Sequence, residues 1–166
     1  DAYARNVVEG SSVPPSVFLE ANPVSAVERV NADAFFDAAY DVTLARMIAN
    51  VVDIEGPVLD AVLARRIARA HGWQRTGSRI QDRVEALAGK AHRTTEEDVG
   101  TFYWAANRGP ELPIVFRRAA DDGARAVDEI CMPELVEMER EVLGSGKSGD
   151  AAVVAMDREI GVQRLR

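Results

Sequence analysis

The sequence predicts a mainly α-helical fold with minor β structure: a winged helix-turn-helix unit with a short β-ribbon as its wing, followed by a C-terminal helical region. Three observations support this. Apolar residues recur at three- and four-residue spacing in three successive segments. A stretch rich in threonine and aromatic residues follows, and a short glycine-containing turn separates the second and third segments. The predicted domains are an extended arm or linker (1–32), a winged-helix-like domain (33–109) and a C-terminal helical subdomain (110–166).

The composition is that of a globular protein with a core. The chain has 166 residues, of which 47% are apolar and 28% charged. No stretch approaches the roughly 18 consecutive apolar residues of a membrane span. The first residues lack the pattern of a signal peptide, so we expect a cytoplasmic protein with no membrane partner. The single cysteine, Cys131, excludes a disulfide framework and a cysteine-rich zinc site, and the two histidines, His71 and His92, leave little for a histidine-based metal site. We expect no metal and no cofactor.

Turn-forming residues place the first two helices. Proline-containing segments at 11–15 and 22–23 favour an extended arm. Asn31 or Asp33 is expected to cap a first helix of about 20 residues that carries Phe36 on its apolar face. Glu55-Gly56-Pro57 should end that helix. Pro57 suits the first turn of the second helix, which Gly72 should end.

A third helix and a β-ribbon complete the predicted unit. The helix should run from about Thr76 to Ala88, with Gly89 ending it. Strands are expected over 91–95 and 100–104, with an acidic run between them. The aromatic residues of the second strand are expected in the core, with stacking on nucleic-acid bases as the alternative. They are Phe102, Tyr103 and Trp104.

The C-terminal region is predicted to contain a short strand at 114–116 and helices over 133–143 and 150–160. Residues 158–164 repeat four of the seven residues of 69–75, which suggests a partial second helix-turn-helix unit. Gly146-Lys147-Ser148 resembles the end of a phosphate-binding loop, but Glu141 occupies the position of that loop's first glycine. We therefore expect a linker there. No set of residues has the spacing of a catalytic or metal site.

The charge is unevenly distributed. Residues 60–93 carry eight basic and three acidic side chains, whereas acidic residues predominate on both sides and the whole chain has a net charge of −7. Such a basic island can contact a polyanion, or it can pair with its acidic neighbours inside the fold. Seven of its cations are candidates for contact with DNA phosphates: Arg65, Arg66, Arg69, Arg75, Arg79, Lys90 and Arg93.

The exposed face of the third helix is poorly suited to reading bases. With Ile80, Val84 and Leu87 inward, the opposite face presents Asp82 and Glu85, and carboxylates are unfavourable in a groove lined by phosphates. Contact with the DNA backbone, without sequence preference, remains compatible with the pattern. A unit that docks onto another protein fits equally well.

Several motifs resemble a known family. The best of them are Glu55-Gly56-Pro57 and the run from Gly72-Trp73 to Gly77, with further matches at Phe116-Arg117 and Pro133-Glu134-Leu135. The sequence resembles a bacterial domain of unknown function found at the C-terminus of large proteins related to superfamily one DNA helicases. Those proteins also carry a restriction-endonuclease-like domain. Their ATPase motifs and nuclease carboxylates do not map onto this chain.

The resemblance implies an accessory module in a DNA-processing protein. We expect a non-catalytic domain that helps such a protein engage DNA through backbone phosphates. The alternative is a docking module that contacts the upstream helicase or nuclease domains. In both cases this chain is not itself an enzyme.

Overall fold

A computed structural model describes residues 17–119 and 125–160, and its fold is mainly α-helical with a small amount of β structure, as predicted. The described part contains five α-helices, α1 to α5, and five short strands, β1 to β5. The helices are Asp41–Glu55, Asp60–Ala70, Ser78–Ala91, Met132–Gly144 and Asp150–Glu159. The strands are Val17–Phe18, Val58–Leu59, Arg93–Glu97, Gly100–Trp104 and Arg118–Ala119. None of these helices is both long and apolar enough to cross a bilayer.

The segment before α1 is packed rather than extended. Residues 1–16 of the predicted arm lie outside the described residues. From Val17 onward, β1 pairs in parallel with β5, and a 3-10 turn over Pro23–Ala26 follows, capped by the side chain of Asn22. Ala21 and Pro23 are buried. The turn signal at 22–23 is therefore confirmed, but it lies in a segment that packs against the rest of the fold instead of extending away from it, whereas the signal at 11–15 lies outside the described residues.

The first helix begins later than predicted, at Asp41 instead of near Asp33. Residues 33–40 form successive turns, because the Tyr40 hydroxyl accepts a hydrogen bond from the Asn31 amide at 3.0 Å and holds the two ends together. Asn31 caps the first of these turns through Asp33 N–H, at 3.1 Å. In this conformation Phe35 is fully buried and Phe36 is 46% exposed, which reverses the prediction for Phe36.

Pro57 does not open the second helix, contrary to the prediction. The two residues after it form β2, in which Val58 pairs with Tyr103 and Leu59 with Phe102. Both residues of β2 are buried, so their backbone groups need the partners that β4 supplies. The helix α2 therefore starts at Asp60, and the three-stranded sheet has the order β2-β4-β3 with antiparallel pairing.

The turn between α2 and α3 is as predicted, but α3 is longer. Gly72 has a φ of +83°, the left-handed conformation that glycine adopts most easily, and Trp73 N–H donates to the carbonyl of Ala68 at 3.1 Å. The helix α3 continues through Gly89 instead of ending there and stops before His92, whose backbone is extended and leads into β3. Gly89 is exposed and does not adopt a positive φ, so the helix continues through it.

The three strand aromatics face the core, as expected, and are at most 3% exposed. A second, smaller core lies in the C-terminal part and contains Phe116, Ile130 and Met138. The predicted strand at 114–116 is absent: the pairing occurs two residues later, in β5. The link between α4 and α5 is a turn, as expected. Residues 161–164 of the suggested repeat lie outside the described residues.

Candidate nucleic-acid interface

The fold distributes the seven candidate cations over α2, the following turn, α3 and the start of β3. Three of them are held in ion pairs with acidic residues from other parts of the chain: Arg65, Arg66 and Arg93. Four are exposed, and no acidic side chain among the described residues forms an ion pair with them. These four, called here the free cations, are Arg69, Arg75, Arg79 and Lys90.

Arg66 is the most firmly held of the paired cations. Its Nε donates to Glu55 Oε1 at 2.8 Å, and its Nη2 lies 3.3 Å from Glu20 Oε2. Glu55 is 1% exposed and also accepts the Ala21 amide at 2.9 Å. Burial by itself would lower the pKa of Arg66, but the carboxylates, Glu55 above all, raise it above its ordinary value. Arg66 therefore serves to neutralise a buried carboxylate.

Arg65 and Arg93 are paired at the surface. Arg65 Nη2 lies 2.8 Å from Glu129 Oε1, and both side chains are partly exposed. Arg93 binds Glu111 through both ends of its guanidinium, with Nη2 2.7 Å from Glu111 Oε2. Ion pairs at exposed positions contribute little to stability because solvent screens them, and the cation can exchange its carboxylate for another anion. These two cations are weaker candidates for phosphate contact than the free ones.

The free cations belong to the α2–turn–α3 segment. Arg69 is in the last turn of α2, and Arg75 is in the connection to α3. Arg79 and Lys90 lie near the two ends of α3 and border an open groove of about 390 Å³ between α3 and residues 36–41. The Arg79 guanidinium stacks on the Phe36 ring, with Cζ 4.6 Å from the ring centroid.

Carboxylates interrupt this basic surface. Asp82 is exposed in the middle of the α3 face, as the sequence predicted. Glu85 is half-buried and accepts a hydrogen bond from Gln81 Nε2 at 2.7 Å. Asp41 is neutralised by Arg83, whose Nη2 lies 2.6 Å away. The exposed face of α3 therefore has positive ends and a negative centre.

The antiparallel hairpin formed by β3 and β4 is acidic at its end. Glu96 and Asp98 are exposed there, and the Glu97 carboxylate accepts the Met132 amide at the start of α4 at 2.9 Å. A phosphate near this end would be repelled. The end of the hairpin is therefore unfavourable for contact with a phosphate.

A buried ionic cluster, absent from the site prediction, holds the two halves of the structure together. Glu134 is fully buried and binds two guanidiniums, those of Arg117 at 3.0 Å and Arg125 at 2.5 Å. Arg117 also donates to the carbonyls of Glu55 and Gly56. Burial alone would raise the pKa of the Glu134 carboxyl, but Arg125 and Arg117 hold it below its ordinary value. The sequence did contain a signal for part of this cluster, because Arg117 and Glu134 belong to two of the motifs that resemble the family, Phe116-Arg117 and Pro133-Glu134-Leu135.

His71 has a structural role beneath the α2–α3 turn. Its Nδ1 lies 2.7 Å from the Ile67 carbonyl, its Nε2 lies 3.1 Å from the Tyr40 hydroxyl, and its ring stacks on Trp73. The Tyr40 oxygen already accepts the Asn31 amide. The network is satisfied when His71 is neutral, with Nδ1–H donating to Ile67 and Nε2 accepting from Tyr40. Burial accordingly lowers the pKa of His71, although the Ile67 carbonyl partly opposes this.

We expect stability to fall as the pH drops through the titration range of unfolded histidine. The unfolded chain takes up a proton at about pH 6.5, while the folded chain resists protonation to a lower pH. The contribution of neutral His71 to the free energy of unfolding is therefore complete above about pH 6.5, and it is lost as the pH falls below this value. Urea unfolding of the wild type and His71→Gln between about pH 7.5 and pH 5.5 measures it. The wild type should lose more stability than the variant; equal losses would contradict the assignment to His71.

The cysteine and the second histidine are both at least partly buried. Burial raises the pKa of the Cys131 thiol to about 12. His92 follows the end of α3 and is partly buried, and burial lowers its pKa. Over residues 17–119 and 125–160, no three histidine, cysteine or acidic side chains converge as metal ligands would.

Comparison with known proteins gives one match. Residues 33–82 match the model of a family described as a protein of unknown function, DUF3320. The match runs from the turns before α1 into the first part of α3 and covers less than half of the chain. No curated protein and no solved structure matched the sequence. Over residues 33–82, the chain is thus similar to a domain of unknown function.

Proposed function

We propose that residues 41–104 form a winged helix and that the chain is a non-catalytic accessory module that contacts DNA. In this interpretation α2 and α3 are the helix-turn-helix, and β3 and β4 are the wing. The element order and the sheet order β2-β4-β3 support the winged-helix assignment, because β2 lies between α1 and α2 and pairs with the second strand of the hairpin.

One observation carries the DNA proposal. The free cations, which are the four of the seven candidates that have no acidic partner among the described residues, all lie on the α2–turn–α3 segment, the part of a helix-turn-helix that approaches DNA. Arginine and lysine bind backbone phosphates in any sequence. The free cations therefore act as phosphate contacts, with Arg79 and Lys90 at the two ends of α3.

The contact does not read bases. Asp82 stands at the centre of the α3 face, and Ala86 beside it offers no hydrogen bond to a base edge. The acidic hairpin adds nothing to the affinity. Binding of this type is weak, independent of sequence and strongly weakened by salt.

The setting is a larger DNA-processing protein in the bacterial cytoplasm. The resemblance to domains at the end of helicase-related proteins supports this setting, and the upstream helicase and nuclease domains of such a protein are the proposed neighbours. The chain supplies neither a cofactor nor a catalytic group in this proposal. Its role is to add phosphate contacts to a protein whose chemistry is performed elsewhere.

Fluorescence anisotropy tests the proposal. At about 50 mM salt the chain should bind duplex, forked and single-stranded DNA, and four phosphate contacts predict a loss of about 100-fold in duplex affinity by about 200 mM. Lys90→Ala should reduce the slope of log affinity against log salt by about one. Arg140→Ala, at an exposed position of α4, makes the same change in net charge and should leave the slope unchanged. Absence of binding to all three DNAs would refute the proposal.

A docking role is the second candidate, and the exposed carboxylate of Asp82 favours it. A carboxylate at the centre of a helix face suits a basic partner surface better than a phosphate. Cross-linking to the upstream domains tests this candidate. Asp82→Lys should then weaken cross-linking, while under the DNA proposal it should strengthen DNA binding.

A further inference from the structure

A second exposed surface is formed by residues that do not include the free cations. It combines the end of the β3–β4 hairpin with the beginning of α4 and is called here the hairpin–α4 surface. Four large apolar side chains are at least 42% exposed in this region: Val99, Val127, Met132 and Val136. Isolated exposed apolar residues are ordinary, whereas exposed apolar residues from segments that the fold brings together can mark a binding surface.

These residues come from three segments that the fold brings together. The Glu97 carboxylate accepts the Met132 amide at 2.9 and 3.1 Å, so the end of the hairpin lies against the first turn of α4. Met132 and Val136 are four residues apart on α4 and share one side of that helix. Val127 lies in the 3-10 turn that leads into α4.

The rim of this surface is acidic. Glu96 and Asp98 on the hairpin and Asp128 before α4 are exposed, and none forms an ion pair within residues 17–119 and 125–160. The only side-chain bond that Glu96 makes there is with the hydroxyl of Thr101. An apolar centre with a negative rim complements a partner segment that is apolar on one face and basic at its edges. The same charge excludes nucleic acid from this surface.

The surface is also held in shape before any partner arrives. All five residues of β3 pair with β4, and Trp104 Nε1 donates to Thr95 Oγ1 at 2.8 Å across the hairpin. The two bonds from Glu97 fix the hairpin to α4. Binding of a partner therefore requires little ordering of the hairpin–α4 surface, and the associated loss of conformational entropy is small. Met132, with its flexible thioether side chain, can adapt to the partner's apolar residues.

We propose that the hairpin–α4 surface binds a basic amphipathic helix of a protein partner. The apolar face of that helix covers Val99, Met132 and Val136, and its lysines and arginines meet Glu96, Asp98 and Asp128. This assignment is independent of the DNA contact, because it uses none of the free cations. The two proposed contacts therefore share no residue.

A synthetic helix tests the proposal with the full chain. The probe is a peptide of about 14 residues, about four helical turns, with leucines on one face and lysines at its edges. Isothermal titration calorimetry should detect binding of this peptide and none of a matched leucine–glutamate peptide. Met132→Gln should weaken binding about tenfold, and Val99→Ser should act in the same direction. Asp98→Asn should weaken it about threefold, and added salt should weaken it further.

Matched controls separate this surface from general attraction to a negatively charged protein. Asp33→Asn makes the same change in net charge as Asp98→Asn, and Leu112→Gln removes an exposed apolar side chain elsewhere. Neither should alter peptide binding. Equal effects of the controls and the surface variants, or no effect of Met132→Gln and Asp98→Asn, would overturn the proposal. Loss of peptide binding in Lys90→Ala would also overturn it, because the peptide would then lie on α3. Fluorescence anisotropy with labelled DNA and the same variants tests the proposed DNA contact separately, so that failure of one proposal can be distinguished from failure of the other.

Discussion

Replacing Glu134 with alanine should lower the free energy of unfolding by about 3–5 kcal/mol. The reason is that one carboxylate compensates two guanidiniums inside the protein. Arg117 is 3% exposed, and its charge would remain buried with only carbonyl oxygens as partners. Arg125 would lose both of its bonds to the carboxylate. Urea unfolding followed by circular dichroism measures the loss, and the melting temperature should fall by about 10 °C or more.

The control is Glu139→Ala, an exposed position on the same helix. It should change the unfolding free energy by no more than about 0.5 kcal/mol. Arg117→Ala should cost much of what Glu134→Ala costs, and the double variant should cost less than the sum, because the second removal relieves an unpaired charge. Similar small effects of Glu134→Ala and Glu139→Ala would show that the buried cluster does not hold the two parts together.

Gly56→Ala should destabilise the fold by about 3 kcal/mol. A Cβ at this position would overlap the carbonyl oxygen of Val52 and lie 3.0 Å from the backbone nitrogen of Ala105. Both contacts are with backbone that cannot move without disturbing the end of α1 or the strand β4. This close approach explains why a glycine follows Glu55, whose carboxylate is also buried here.

Gly89→Ala provides a control of opposite sign. Gly89 is exposed inside α3, and a Cβ there would meet no atom within 4 Å. Alanine should stabilise the helix by about 0.5–1 kcal/mol, because glycine is a poor helix former. Thermal unfolding of the two variants should therefore shift in opposite directions. Equal stability of Gly56→Ala and the wild type would contradict the packing described for the end of α1.

Local patterns in the sequence were sufficient for most of the helices. The apolar spacing predicted α2 and α3, and Gly72 predicted the turn between them, because these features depend on residues a few positions apart. The predicted ends of the helices and strands were less accurate where they depend on a contact with a residue far away in the sequence. The strand β2 exists because Val58 and Leu59 pair with residues more than 40 positions later, and α1 starts at Asp41 because Tyr40 is held by Asn31 and His71.

The same distinction between local patterns and distant contacts applies to the candidate interface. The sequence located the basic island between residues 60 and 93, and it placed Asp82 and Glu85 on the exposed α3 face, of which Asp82 is exposed and Glu85 is half-buried. It could not rank the seven cations, because their acidic partners lie far away along the chain. Arg65 pairs with Glu129, 64 positions later, and Arg93 with Glu111. Only the free cations on the α2–turn–α3 segment then remain as principal candidates for phosphate contact.

The amino-acid order alone thus determined the helical class, the apolar faces and the location of excess positive charge, since all three follow from the identities of neighbouring residues. The tertiary structure decided which charges are neutralised and which stay in solvent. It also placed Arg117, Arg125 and Glu134 in one buried cluster and joined the hairpin to α4 through Glu97. The physical reason is that an ion pair requires its two groups to be within a few ångströms of each other. That proximity is created by packing between distant segments.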